Sequence, residues 1–76
     1  MTYMVCESQP HAHLMPECWK PITAKTLAGA KQAAKRRQRF HRTAVHVGIK
    51  AGDGVERIAS WYPTGPQAGW NKFGDF

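Results

Sequence analysis

Four residues near the amino terminus, Cys6, His11, His13 and Cys18, form a C-x4-H-x-H-x4-C array that contains the ligand types of a tetrahedral zinc site. The spacing matches no standard zinc finger or knuckle, and histidines in a loop with Pro10 and Pro16 are more often ordinary loop residues. No metal and no cofactor is therefore assigned, and metal analysis of protein without a histidine tag is expected to find far less than one zinc per chain. Two cysteines are too few for a disulfide scaffold, and a reducing compartment leaves both as thiols that behave as small apolar residues. Neither sits at a predicted helix amino terminus that would lower its pKa, which argues against a cysteine nucleophile. The five acids, Glu7, Glu17, Asp53, Glu56 and Asp75, make no paired-carboxylate motif, and no Ser-His-Asp array or P-loop can be drawn. The expectation is a protein that is not an enzyme.

The cations are the stronger signal. Eleven Lys and Arg face five Asp and Glu, for a formal net charge of +6. No acid lies between Glu17 and Asp53, yet that interval carries nine of the eleven: Lys20, Lys25, Lys31, Lys35, Arg36, Arg37, Arg39, Arg42 and Lys50. Like charges at i, i+4 destabilise a helix by roughly a few tenths of a kcal/mol per pair. A face that serves only solubility usually mixes signs. The block therefore points to a polyanion or an acidic protein surface, with a plain solvated face as the bland alternative. Lys31, Lys35 and Arg39 follow at i, i+4, i+8 and are expected to form an outward cationic ridge. Arg37, nearer the apolar stripe, is expected to run its stem along the sheet. Nothing marks base-specific reading, because the helix opens on Leu27, Ala28, Gly29 and Ala30 and is basic at its other end. Salt-sensitive contact with phosphate backbone fits better.

These residues need a scaffold. The chain is 76 residues long with 42% hydrophobic and 11% aromatic residues, enough to fold as one domain over residues 1–76 but with a shallow core. Residues 3–7 read as a first strand, 8–17 as a loop, and 18–22 as a second strand that Pro21 confines to an edge. Residues 23–39 read as a helix capped by Thr26 or Thr23, with Leu27, Ala30, Ala33 and Ala34 on one side. That small stripe brings the helix close to a sheet. Thr43, Val45, Val47 and Ile49 alternate with Ala44, His46, Gly48 and Lys50, the pattern of a half-buried strand. Ala51, Gly52, Asp53 and Gly54 turn the chain into a returning strand over 55–62. Residues 63–69 are a break, and 70–73 a last short strand. The fold class is α+β, a single helix on a four- to five-stranded antiparallel sheet in the order β-β-α-β-β-β. Most of Trp19, Trp61, Tyr62, Trp70 and Phe73 are expected in the core, with one or two exposed. Tyr3 is either a contact residue or a sheet-face packer.

Residues 22–45, ITAKTLAGAKQAAKRRQRFHRTAV, resemble a family of small phage anti-CRISPR proteins that inhibit type I-F CRISPR-Cas surveillance complexes. The resemblance lies in Ile22, Ala24, Leu27, Ala30 with Lys31, Ala34, Gln38, Phe40 with His41, and Thr43. Tyr3 falls in a similar first strand. It implies a five-stranded antiparallel sheet with one helix, which binds the repeated backbone subunits of the guide-RNA complex (Cascade) where target DNA hybridises. It also implies non-specific duplex DNA binding by the inhibited complex. By position, Tyr3, Arg36 and Gln38 would contact the backbone subunits and Lys31 would contact DNA. The loop over 10–17, the arginines at Arg37, Arg39 and Arg42, and the insertion at 63–69 have no counterpart in the family, so the subtype is open, with type I-C next after type I-F.

The combined expectation is a non-enzymatic inhibitor acting in the cytoplasm of a bacterial host, since no run approaches a membrane span and the amino terminus lacks a basic-then-apolar signal. Lys31, Lys35, Arg36, Arg39 and Arg42 are the candidate nucleic-acid contacts. The rival reading is a stand-alone, sequence-nonspecific nucleic-acid-binding module of phage origin, and a third is a structural phage protein with incidental charge.

Overall fold

Alternating β-branched and aromatic residues become strands wherever a second row can cover them. The computed structural model describes residues 2–9, 18–40 and 42–73. Its elements are β1 (Tyr3–Ser8), β2 (Lys20–Ile22), α1 (Leu27–Arg37), β3 (Ala44–Ala51), β4 (Gly54–Tyr62) and β5 (Gly69–Lys72). The five strands make one antiparallel sheet in the order β2-β1-β3-β4-β5, with the helix packed on it. This is the α+β arrangement that the sequence leads one to expect. β2 is an edge strand, as Pro21 requires, and pairs Pro21 with Met4.

The helix is shorter than the 23–39 expected. Its N-cap is Thr26, whose hydroxyl accepts the Gly29 N–H at 3.1 Å. Its other end is fixed by a different strand: the Glu7 carboxylate on β1 accepts the backbone N–H groups of Arg39 and Phe40, each at 3.0 Å. Those two donors are therefore turned away from the helix axis, and the helix stops at Arg37. Ala30 and Ala34 are buried on the side that meets Tyr3, Val5, Val45 and Val47.

β3 is the centre of the sheet and is covered on both faces. Val45 and Val47 are buried in the helix-side core, and Ala44, His46 and Gly48 are buried as well, which corrects the half-buried reading of this strand. A register shift between Val47 and Gly48 bends the β3–β4 pair. Gly48 is required there: a Cβ at this position would lie 2.9 Å from the Glu56 carbonyl oxygen, 3.1 Å from Trp19 and closer still to Val55. The hairpin turns through Gly52, with φ at +59°, in the Gly-X order of a type II′ turn.

Two expectations about side chains are corrected. Cys6 and Cys18 are not thiols but a disulfide, their Cα atoms 5.2 Å apart, tying β1 to the chain that enters β2. Trp19, Trp61, Tyr62, Trp70 and Phe73 are all half-buried, none in the innermost core, because a sheet this small covers its edges only in part. Among the described residues the large apolar side chain left in solvent is Phe40, 66% exposed. No helix among the described residues is long and apolar enough to cross a membrane.

Candidate nucleic-acid interface

The cations of α1 do not form one outward ridge. Lys31 and Lys35 lean sideways onto the sheet: the Lys35 ammonium lies 3.1 Å from the centroid of the Trp61 ring, and that of Lys31 lies 5.4 Å from the Trp70 centroid. A cation over an aromatic face is attracted by the ring quadrupole, by about 0.5–2 kcal/mol depending on desolvation. Trp61 and Trp70 are register partners on β4 and β5, so the two rings form a platform beside the helix. Burial against it lowers the Lys35 pKa from its ordinary value. Lys35 also donates to Gln38 Oε1 at 2.7 Å. Arg36 is exposed, and with Lys31, Lys35, Gln32 and Trp70 it lines a cavity of about 320 Å³.

Arg39 belongs to another group. Because the helix ends at Arg37, Arg39 does not continue the Lys31, Lys35 row; it lines a cavity of about 410 Å³ on the β1–β2 flank, with Arg37 and Lys20. Arg42 is exposed past the helix end. The basic residues thus flank α1 on both sides, with the Trp61–Trp70 platform under one cluster and β1 and β2 under the other.

Two residues implied as partner contacts serve the scaffold. Tyr3 is 8% exposed and packs in the core, so it is the sheet-face packer of its two alternatives. Gln38 spends its amide internally: Nε2 donates to the Thr43 carbonyl oxygen at 3.0 Å while Oε1 receives Lys35, bracing the bend from α1 to β3. The Thr43 hydroxyl completes this bend by donating to Glu7 Oε2. Desolvation pushes the Glu7 pKa up, but the Thr43 hydroxyl, the Phe40 and Arg39 amides and the Arg39 charge outweigh it and hold the carboxyl below its ordinary value of 4.5.

Sequence reasoning missed a buried polar chain on the opposite face of the sheet. His46 on β3, 2% exposed, has Nδ1 2.7 Å from Ser60 Oγ on β4 and Nε2 2.8 Å from Ser8 Oγ on β1. The Ser8 hydroxyl is also 3.2 Å from the Gln9 carbonyl oxygen. One proton arrangement satisfies all three bonds: Ser60 donates to Nδ1, Nε2 donates to Ser8, and Ser8 donates to Gln9. Desolvation, with the Arg57 charge second, lowers the His46 pKa from 6.5 to about 4. The imidazole is therefore neutral at physiological pH. Neither cavity is lined by His46, and the chain cross-links three strands. The available signal was the register position of His46 between Ala44 and Gly48, small residues that leave room for a covered face.

Of the zinc-type array, His11 and His13 lie outside the described residues, and both sulfur atoms are taken by the disulfide. Among the described residues no three His, Cys, Asp or Glu side chains come together to hold a metal ion. No family model, curated protein or solved structure matches this chain.

Proposed function

We propose that this protein is a non-enzymatic anti-CRISPR inhibitor that binds the backbone subunits of a type I surveillance complex and interferes with recognition of target DNA. The observation that carries the reading is the placement of Lys31 and Lys35 on the Trp70–Trp61 platform with Arg36 beside them. Cations braced by rings lose less side-chain entropy on binding than solvated ones, and three together complement an acidic protein surface or the phosphates of bound DNA. The resemblance of residues 22–45 supplies the type I assignment, and the one-helix, five-stranded fold it implies is the fold of this chain. Arg36 and Lys31 are the contacts retained from that resemblance; Tyr3 packs in the core and Gln38 braces the bend that follows the helix.

The second reading is a stand-alone nucleic-acid-binding module. Exposed Arg42, beyond the helix end, favours it as one more cation open to contact with phosphates. Gel-shift titration of a duplex with the purified protein, with and without a type I-F or I-C surveillance complex, separates the two. The inhibitor requires binding to the complex and loss of target recognition, both removed by Lys31→Glu with Arg36→Glu. Submicromolar duplex binding by the protein alone, with no affinity for either complex, overturns it in favour of the module.

A further inference from the structure

The 410 Å³ cavity on the β1–β2 flank of α1 plays no part in the inhibitor reading, and its chemistry is specific. Its floor is apolar, formed by buried Val5, Ala34 and Val45, and the Cys6–Cys18 disulfide closes one side. Exposed Lys20, Arg37 and Arg39 stand around it. Phe40 also lines it, with its ring largely in solvent. Among the described lining residues the one carboxylate is Glu7, whose Oε2 is engaged by the Arg39 and Phe40 amides and the Thr43 hydroxyl, so its charge is already turned into the bend while Lys20, Arg37 and Arg39 stand around the cavity.

We infer that this cavity binds a nucleoside monophosphate unit, with the base stacked on Phe40 and the phosphate among Lys20, Arg37 and Arg39. An exposed ring beside two guanidinium groups matches the two halves of a nucleotide: stacking is insensitive to base identity because every base has a π-face, and Arg complements phosphate through paired N–H donors. A volume of this size lies within the range of small-ligand sites, roughly 300–1,000 Å³, and suits one nucleotide and not a duplex. A simple anion would use the cations but leave the ring without a role. The unit is either a free nucleotide or the phosphorylated end of a single strand.

Calorimetric titration with AMP, adenosine, inorganic phosphate, and a single-stranded oligonucleotide bearing either a 5′-phosphate or a 5′-hydroxyl tests this. AMP is expected to bind more tightly than adenosine or phosphate by about tenfold or more, and Phe40→Ala to weaken it by about tenfold while Phe40→Trp retains it. Arg37→Ala with Arg39→Ala should abolish binding; both side chains are exposed, and the Arg39 N–H bond to Glu7 is a backbone contact that survives the change. Preference for the 5′-phosphorylated strand assigns the site to a strand end, and binding of AMP alone assigns it to a free nucleotide. AMP binding no tighter than phosphate, or unchanged by Phe40→Ala, overturns the inference. Lys31→Glu with Arg36→Glu should leave AMP affinity intact, so failure here is distinct from failure of the inhibitor reading.

Discussion

The Glu7 carboxylate accepts the Phe40 backbone N–H across 3.0 Å, joining the first strand to the bend that follows the helix. That bond and its neighbours at Arg39 and Thr43 decide where the helix ends and which way Phe40 and Arg39 face. Glu7→Gln should therefore cost about 1–3 kcal/mol, because an acceptor for three donors loses its charge. Thermal melts measure the loss, and faster amide exchange at Arg39 and Phe40 localises it. The folded pKa of Glu7 is depressed, so its contribution is present above 4.5 and disappears as pH falls through the lower folded value. Unchanged exchange at the two amides would show that the bend stands without Glu7.

His46 gives a second acid dependence at higher pH. Its folded pKa, about 4, lies below its unfolded value of 6.5, so the unfolded chain takes up the proton first and stability falls as pH drops through that window. The slope approaches about 1.4 kcal/mol per pH unit, for a total of roughly 3 kcal/mol. Denaturant unfolding across this range should show it, and His46→Phe should flatten it whatever its own stability. The Glu7 contribution lies mostly below this window.

Reduction of Cys6–Cys18 should destabilise the fold by about 2–4 kcal/mol, since the bond closes a loop across a sequence separation of 12. In a domain of this size that is a fall in Tm of roughly 8–30 °C. Melting with and without a phosphine reductant reads it, with Cys6→Ser/Cys18→Ser as the reductant-insensitive control. An identical Tm in both conditions would mean the bridge adds no stability.

Lys35 and Arg36 are adjacent in sequence but should differ in stability. Lys35→Ala loses the Trp61 contact and the Gln38 bond, about 0.5–2 kcal/mol, whereas exposed Arg36→Ala should change stability by less than about 0.5 kcal/mol. Chemical denaturation of the two single variants checks the difference; equal values would remove the ring from the account of Lys35.

Gly48→Ala places a methyl group against the Glu56 carbonyl oxygen and Val55 at the register shift, and should cost about 1–3 kcal/mol. Gly54→Ala, with open space around its Cβ position, is the matched control. Comparable melting temperatures for the two would argue that β3 and β4 part easily at this point.

Local chemistry in the sequence determined the strands, the edge role of β2, a threonine cap for the helix, the hairpin at Gly52 and the α+β order, because periodicity and turn residues act over a few positions. It also determined the density of positive charge between Glu17 and Asp53. The tertiary structure alone decided where that charge went. Glu7, 32 residues before Arg39, ends the helix and swings Arg39 to the β1–β2 flank, while two tryptophans from β4 and β5 draw Lys31 and Lys35 the other way. The disulfide and the cavity beside Phe40 were invisible in the sequence, and the His46 chain was signalled there only by the small residues flanking it on its face. Each depends on residues from separate strands or on a strand meeting the helix end, and only chain folding sets those distances.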